Sequence, residues 1–293
     1  MPLRHAILGA GGVGGTVGTC LAHLGDSVTV VVKPGSVATY PEQLHLESSF
    51  GTFYASVACA REVPACDVLW LAVKATQLDA AMRAIVNPDA LGAIVPLLNG
   101  IDHLGVLRAK YGNDRVIAAT IAGEMERVSP GHFAHRTPFL RLNVASAGKS
   151  LLGGVLNGLQ KIGVECRFVD DEPTLMWSKA VFLAPIALAT TAFDQPVGGV
   201  MSDPARKQLW ESCVREACAV ATAEGAKVDP EAVISGVPKL PPNMRSSMQK
   251  DVDQGNPPEL DAIAGPILRG GRRHTIEVPA TMKLVDAVQV RST

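Results

Sequence analysis

The chain has 293 residues, of which 47% are hydrophobic and 19% charged, with a formal net charge of -1. That length fits one large domain or two modest ones, and that composition fits a globular core rather than a disordered or fibrous chain. Near-neutral charge without a long basic run excludes nucleic acid and anionic membrane as expected partners.

The N-terminal half alternates. Residues 6–8 predict a short buried strand, 14–24 a helix and 28–32 a second strand. An apolar run follows at 68–73, a helical stretch at 77–85, a strand at 94–98, a helix at 102–111 and another apolar run at 116–121. Strands and helices in alternation imply a parallel sheet with helices on both faces. Residues 131–145 break the rhythm: HFAHR and FLRLNVA predict a hairpin of antiparallel strands at one edge. His132 and His135 fall on that hairpin and read as structural. A helix at 151–162 and a strand at 164–169 complete this half.

After Asp171 the texture becomes helical. Residues 180–193 are the most apolar stretch, but Pro185 interrupts them and they fall short of the roughly 18 residues of a membrane span. Further on, Asp203 is placed to cap a helix, Pro204 to occupy its first position and Gly225 to end it. Leu209, Cys213, Ala217 and Val220 share one face of that helix. Asp229-Pro230 opens another, and Pro241-Pro242, Pro257-Pro258 and Pro279 mark further starts. The six cysteines (Cys20, Cys59, Cys66, Cys166, Cys213, Cys218) form no CxxC pair and no Cys/His cluster with zinc spacing. Reduced thiols, a cytoplasmic location and no metal are therefore expected, and the N-terminus lacks the basic-then-apolar form of a signal peptide.

Gly9-Ala10-Gly11-Gly12-Val13-Gly14 fits GxGxxG between a predicted strand and a predicted helix. In that context the first glycine allows a tight turn, the second lets a pyrophosphate approach the backbone, and the third lets helix and strand pack closely. The helix N-terminus then offers free N–H groups to phosphate. An NAD site places an acid about 20 residues further on to accept from the ribose 2′-hydroxyl. Here the second strand ends in Lys33, a cation that cannot accept but can meet a 2′-phosphate, so NADP(H) is expected over NAD(H). The other reading of Lys33 is a solvated lysine at a strand end. The predicted fold is α/β: a Rossmann-type, NADP-binding domain over residues 1–170, then an all-helical domain over 171–293.

LMWSKAVFLAPIALATTAF surrounds Lys179 with apolar residues. A buried ammonium is costly unless a site uses it, and desolvation makes it a better proton donor near neutral pH. The alternative is a lysine whose stem packs while its head reaches water.

GAGGVG, VKATQ at Lys74, NG at Asn99-Gly100, WSK ending at Lys179, SSMQKD from Ser246 to Asp251 and PELDAIAG from Pro258 together resemble ketopantoate reductases, the 2-dehydropantoate 2-reductases. The resemblance covers nearly the whole chain. It implies a catalytic lysine at Lys179, a glutamate of the helical domain at Glu259, a serine that binds the substrate carboxylate at Ser247, and a lysine and an asparagine beside the nicotinamide at Lys74 and Asn99. Asn99, Lys179, Ser247 and Glu259 would then bind substrate. Each has a plainer reading. Glu259 could be an acid favoured by a helix dipole, Ser247 an ordinary helix residue, Asn99-Gly100 a turn and Lys74 a solvated lysine.

The resemblance implies NADPH-dependent reduction of a small-molecule 2-oxo acid, 2-dehydropantoate first, giving pantoate on the route to pantothenate. A second copy of the chain, as a homodimer, is the one protein partner entertained. Three asparagines that line the family's pocket are replaced here by Leu183, Ala187 and Val197. That loss of hydrogen-bonding groups keeps open a less polar 2-oxo acid or ketone as substrate, and a non-catalytic NADP(H)-binding regulator.

Overall fold

A computed structural model describes residues 2–292. Two compact units emerge: one holds the residues up to Leu98 together with His103–Glu172, the other Asn99–Asp102 and the chain from Pro173 on.

The first unit contains β1 (Arg4–Leu8), α1 (Gly12–His23), β2 (Ser27–Val31), β3 (Gln43–Ser48), β4 (Gly51–Ser56), β5 (Ala58–Ala60) and β6 (Cys66–Leu71). It continues with α2 (Leu78–Met82), β7 (Leu91–Pro96), α3 (His103–Tyr111), β8 (Ala119–Ala122), β9 (Met125–Ser129), β10 (His132–His135), β11 (Arg141–Ala145), α4 (Lys149–Lys161) and β12 (Glu165–Val169). The dominant sheet is parallel, in the order β5-β2-β1-β6-β7. Its central strands are near-continuous apolar runs, and Ala6, Ile7, Val68, Leu69, Trp70, Leu71, Ile94 and Val95 are all fully buried, as expected for parallel strands covered on both faces.

Two smaller sheets depart from the sequence expectation. One runs β4-β3-β10-β9 and the other β12-β11-β8. The predicted hairpin of HFAHR with FLRLNVA does not exist: β10 pairs antiparallel with β9 and parallel with β3, whereas β11 pairs with β12 and β8 in a different sheet. The tight turn lies instead at Pro130-Gly131, between β9 and β10, where Gly131 has φ +77. The helix expected over 77–85 shortens to α2, preceded by a 3-10 turn over Ala75–Gln77.

The four-stranded sheet explains why α1 is so rich in glycine. Along β3 and β4, Leu44, Leu46, Phe53 and Ala55 are buried while His45 and Tyr54 are more exposed, the alternation of a half-buried sheet. Its buried face packs on α1. A Cβ at Gly15 would lie 2.1 Å from the Phe133 ring, and one at Gly12 would lie 2.2 Å from the Met125 carbonyl oxygen. On another side of the same helix, a Cβ at Gly14 would meet the Gly9 carbonyl oxygen at 2.1 Å and one at Gly18 would meet Ile7 at 3.1 Å. The helix is squeezed between two sheets, and side chains on these faces would force them apart.

The second unit is helical: α5 (Glu172–Phe193), α6 (Val197–Met201), α7 (Pro204–Ala223), α8 (Pro230–Gly236), α9 (Ser247–Asp253), α10 (Leu260–His274) and α11 (Pro279–Arg291). The punctuation around α7 is as read: Asp203 accepts from the Ala205 and Arg206 N–H groups, Pro204 is the first helical residue, and Gly225 follows the end with φ +90. Pro241-Pro242, by contrast, starts no helix, and α9 begins only after Ser246, whose hydroxyl accepts from the Gln249 N–H. α5 is longer than the apolar run suggested and continues through Pro185; it is long and apolar enough to cross a membrane, yet most of it is buried among the other helices of this unit. The N-terminus of α11 is capped from a distance: Glu216 of α7 accepts from the Ala280 and Thr281 N–H groups at 2.8 Å and from the Thr281 hydroxyl at 2.7 Å.

A buried polar chain crosses the parallel sheet. Trp70 Nε1 donates to His5 Nδ1 at 3.1 Å, and His5 Nε2 lies 3.2 Å from Asp26 Oδ2. An indole is a donor only, so the neutral His5 ring carries its proton on Nε2 and donates it to Asp26. Burial lowers the His5 pKa, against the opposing pull of Asp26. An unfolded histidine takes up a proton near pH 6.5, and the folded ring resists it. The stability contributed by neutral His5 is therefore full above that pH and lost as pH falls below it. His5→Gln is expected to lower unfolding free energy at about pH 7.5 by about 1–3 kcal/mol, because the Trp70 N–H loses its partner. It should also flatten the decline between about pH 7.5 and 5. Denaturant melts followed by tryptophan fluorescence check both, and an unchanged pH profile in the variant would refute the assignment.

Candidate functional site

In the first unit, the loop after β1 has the form an anion needs. Gly9 adopts φ +112, and a Cβ there would lie 2.7 Å from the Ala72 backbone, so only glycine makes this turn without strain. Ala10 follows it, and Gly11 is the residue before the first turn of α1. A Cβ on Gly11 would meet nothing within 4 Å, which leaves the backbone open to close approach. Gly9 to Val13 stay partly exposed, and burial begins at Gly14. The first-turn N–H groups of a helix have no intrahelical partner; here no side chain caps them and no acid lies among them. This donor set and the open backbone fit a diphosphate.

Two cations share that edge of the sheet. Lys33 follows β2, is exposed and precedes a 3-10 turn over Pro34–Thr39; Lys74 follows β6, is exposed and precedes another. β2, β1 and β6 are adjacent and parallel. The glycine loop, Lys33 and Lys74 therefore all leave the carboxyl edge of the sheet, beside the point where strand order reverses across β1 and β6. Ligands of such sheets bind at that edge.

In the second unit, three of the residues singled out in the sequence converge. Lys179 Nζ donates to Asn99 Oδ1 at 3.1 Å, and Asn99 Nδ2 donates to Glu259 Oε2 at 3.2 Å. One amide thus bridges an ammonium and a carboxylate. Lys179 keeps some exposed surface, yet protein crowds its ammonium on most sides. That loss of water pushes its pKa down to about 8, and the charge of Glu259 opposes the fall. The next residue along this face of α5, Leu183, is apolar and partly exposed; Ala187 and Val197 are buried. None of them supplies a polar atom that could resolvate the ammonium.

Each member of the trio is held by its own element. Lys179 is carried by α5. Glu259 is 7% exposed and is the residue before the first turn of α10, where its side chain caps no N–H group. It stands one residue before the first turn, at the positive end of the α10 dipole, which the plainer reading of this acid invokes. Asn99 comes from the short segment that joins this unit from the middle of the chain. Gly100 beside it adopts φ +83, and a Cβ there would lie 2.3 Å from the Ala262 carbonyl oxygen. The segment is held further by Arg269 of α10, which binds both Asp102 and Asp261. Sequence reading did not reveal this clamp, because its members are far apart in the chain.

Ser247 is the first residue of α9 and is exposed. Its neighbour Ser246, which sequence reading passed over, is the buried member of the pair, with its Oγ 2.8 Å from Thr190 Oγ1 of α5. His135 is buried, with Nδ1 2.9 Å from Ser48 Oγ and Nε2 3.0 Å from the Phe139 carbonyl oxygen. His132 lies on the other side of its strand, beside Glu47.

These features can be set beside known proteins. The family model for ketopantoate reductase PanE/ApbA matches residues 5–147, and that for the ketopantoate reductase PanE/ApbA C terminal matches 173–292. A 2-dehydropantoate 2-reductase of Caulobacter vibrioides is 32% identical over 291 residues, covering 96% of each chain. A PanE/ApbA family ketopantoate reductase from Ralstonia eutropha superposes with a TM-score of 0.87 at 25% identity, over 99% of this chain and 98% of that one. D-mandelate dehydrogenase with NADH and anilino(oxo)acetate has a TM-score of 0.86 at 19% identity, over 99% of this chain and 98% of that one, a likeness of fold. With both halves matched by the family and the Rossmann-type and helical units both present, the chain belongs to the ketopantoate reductase family of oxidoreductases.

Proposed function

We propose that the protein reduces a 2-oxo acid with NADPH, and that the acid is 2-dehydropantoate, yielding pantoate for pantothenate synthesis. The observation that carries this reading is the desolvated Lys179 ammonium bridged through Asn99 to Glu259. Residues 1–170, with the glycine loop and Lys33, hold the cofactor. Residues 171–293, joined by the Asn99 segment, carry the groups that act on the substrate. Six free cysteines, most of them buried, fit a protein of the reducing cytoplasm.

Bound NADPH supplies the hydride. The chain's own residues manage charge and position. As negative charge grows on the ketone oxygen, the Lys179 ammonium stabilises it in a site poor in water, where such an interaction is strongest. A pKa of about 8 leaves the lysine protonated at neutral pH yet ready to give its proton to the product alkoxide. Asn99 accepts from Nζ and fixes the direction of the remaining N–H bonds. Glu259 keeps the charged form of the lysine accessible. The exposed Ser247 hydroxyl is available to donate to the substrate carboxylate. For the cofactor, Lys33 would meet the 2′-phosphate, and Lys74 and Asn99 would serve the nicotinamide end.

A second reading has its own support. Leu183, the one of the three replaced positions that keeps exposed surface, offers nothing to a substrate hydroxyl, and a pocket without such partners discriminates weakly for one. A less polar 2-oxo acid or ketone then becomes the substrate, with the same roles for Lys179, Asn99 and Glu259.

Lys179→Ala is expected to keep NADPH affinity, by fluorescence titration, while turnover falls about 10²- to 10⁴-fold. Unchanged turnover removes the lysine from the reaction. Binding of NADPH by the wild type with no oxidation by any 2-oxo acid points instead to a regulator. Lys33→Asp should weaken NADPH binding about 10- to 100-fold, the loss of one charge-assisted contact, and NADH binding far less. Equal losses for the two cofactors overturn the role given to Lys33. A ratio of kcat/KM for 2-dehydropantoate over its analogue lacking the hydroxyl separates the two substrate readings. A large excess supports the first and a ratio near or below one the second.

A further inference from the structure

Three side chains able to ligate a metal meet on the outer face of the four-stranded sheet. β3 and β10 are parallel neighbours, with His132 in register with His45 and Ala134 with Glu47. Alternation along β3 turns His45 and Glu47 away from buried Leu44 and Leu46, which face α1. Glu47 Oε1 lies 3.0 Å from His132 Nε2 and 4.0 Å from His45 Nε2, and the ligand atoms of all three residues fall within 4.8 Å of one another. The His45 ring is stacked between the Tyr54 and His132 rings, with centroids 4.4 Å away on each side. Its Nε2 is shielded from water and has no hydrogen-bond partner among the described residues. A shielded polar atom without a partner requires an explanation, and a bound ion is one of the few available.

We propose that His45, Glu47 and His132 form a three-ligand site for a borderline divalent transition-metal cation, represented by Zn²⁺, with water completing its shell. Two imidazoles and one carboxylate suit such an ion, whereas Mg²⁺ and Ca²⁺ take oxygen ligands. Tetrahedral Zn²⁺ with bonds of about 2.1 Å sets its ligand atoms about 3.4 Å apart. The 3.0 and 4.0 Å separations from Glu47 lie on either side of that spacing. The His45 and His132 rings are stacked at 12°, so their in-plane lone pairs run side by side, and binding requires the imidazoles to rotate out of the stack to converge on the ion. The cation would tie together two strands that share only three register pairs, on the sheet whose other face packs against α1. Its role is structural and independent of the proposed reaction. The absence of metal expected from sequence spacing rested on Cys/His motifs, and this cluster is assembled by strand pairing instead.

The test uses the full chain after EDTA treatment, titrated with Zn²⁺ and separately with Mg²⁺ by calorimetry, with thermal melts in parallel. One equivalent of Zn²⁺ should bind and raise the melting midpoint, and Mg²⁺ should do neither. His132→Asn and Glu47→Gln should each weaken Zn²⁺ binding at least about tenfold, since even groups that only orient a metal ligand contribute 10- to 100-fold. Metal-free melts and circular dichroism verify that the variants fold, and His274→Asn, in the helical unit, should leave affinity unchanged. Absence of saturable one-to-one binding in the wild type, equal affinity in the cluster variants, or an equal loss in His274→Asn overturns the site.

Discussion

The second unit is organised around one electrostatic constraint: an ammonium that has lost much of its water must be compensated at short range. Removing a charge from water is expensive, and the charged form survives only with a partner or hydrogen bonds nearby. At Lys179 the compensation comes through Asn99, whose amide accepts from the lysine and donates to Glu259. That geometry needs three elements to meet. α5 supplies apolar surroundings, α10 delivers Glu259 at its start, and a four-residue piece of the earlier chain crosses into the helical unit to deliver Asn99. Gly100 lets this piece lie against the backbone at Ala262, closer than any side chain would permit.

The first unit meets a packing constraint instead. α1 lies between the central strand of a parallel sheet and the buried face of a second sheet, and its glycines are where the backbones come together. Only Gly9 and Gly11 have the turn and the open space that serve a ligand. The others, Gly12 and Gly15 in particular, are consumed by packing against β9 and β10. The GxGxxG pattern and the further glycines around it therefore have two causes, one chemical and one steric.

This division explains what could be read from the chain. Strongly patterned local features were legible: the glycine loop after an apolar strand, the Asp203-Pro204 start and Gly225 end of α7, and a lysine isolated among apolar residues. Local patterns depend on neighbours in sequence, and those are visible. Features set by distant pairing were not. β3 and β4 alternate apolar with polar residues and β5 has only three, so none of them shows the continuous apolar run that marks the central strands, and the partner of β10 is not visible in its own residues because strand pairing is settled by tertiary packing. A pair of prolines at Pro241-Pro242 looked like a helix start, but the hydroxyl that caps the next helix belongs to Ser246. Of the site, the residue types were evident, but the amide bridge was not. It depends on Asn99 leaving the unit that surrounds it in sequence. The Arg269 clamp and the Glu216 cap were hidden for the same reason.

The central claim is that Lys179 is a desolvated cation supported by Glu259, and the most direct measurement is its own titration. Selective isotope labelling of lysine, with the Lys179 resonance assigned by its loss in Lys179→Arg, gives the pKa by NMR. The account predicts a midpoint of about 8 in the wild type and a lower one in Glu259→Gln, where the opposing charge is removed. A midpoint at the ordinary lysine value of about 10.4, unmoved by Glu259→Gln, would contradict it.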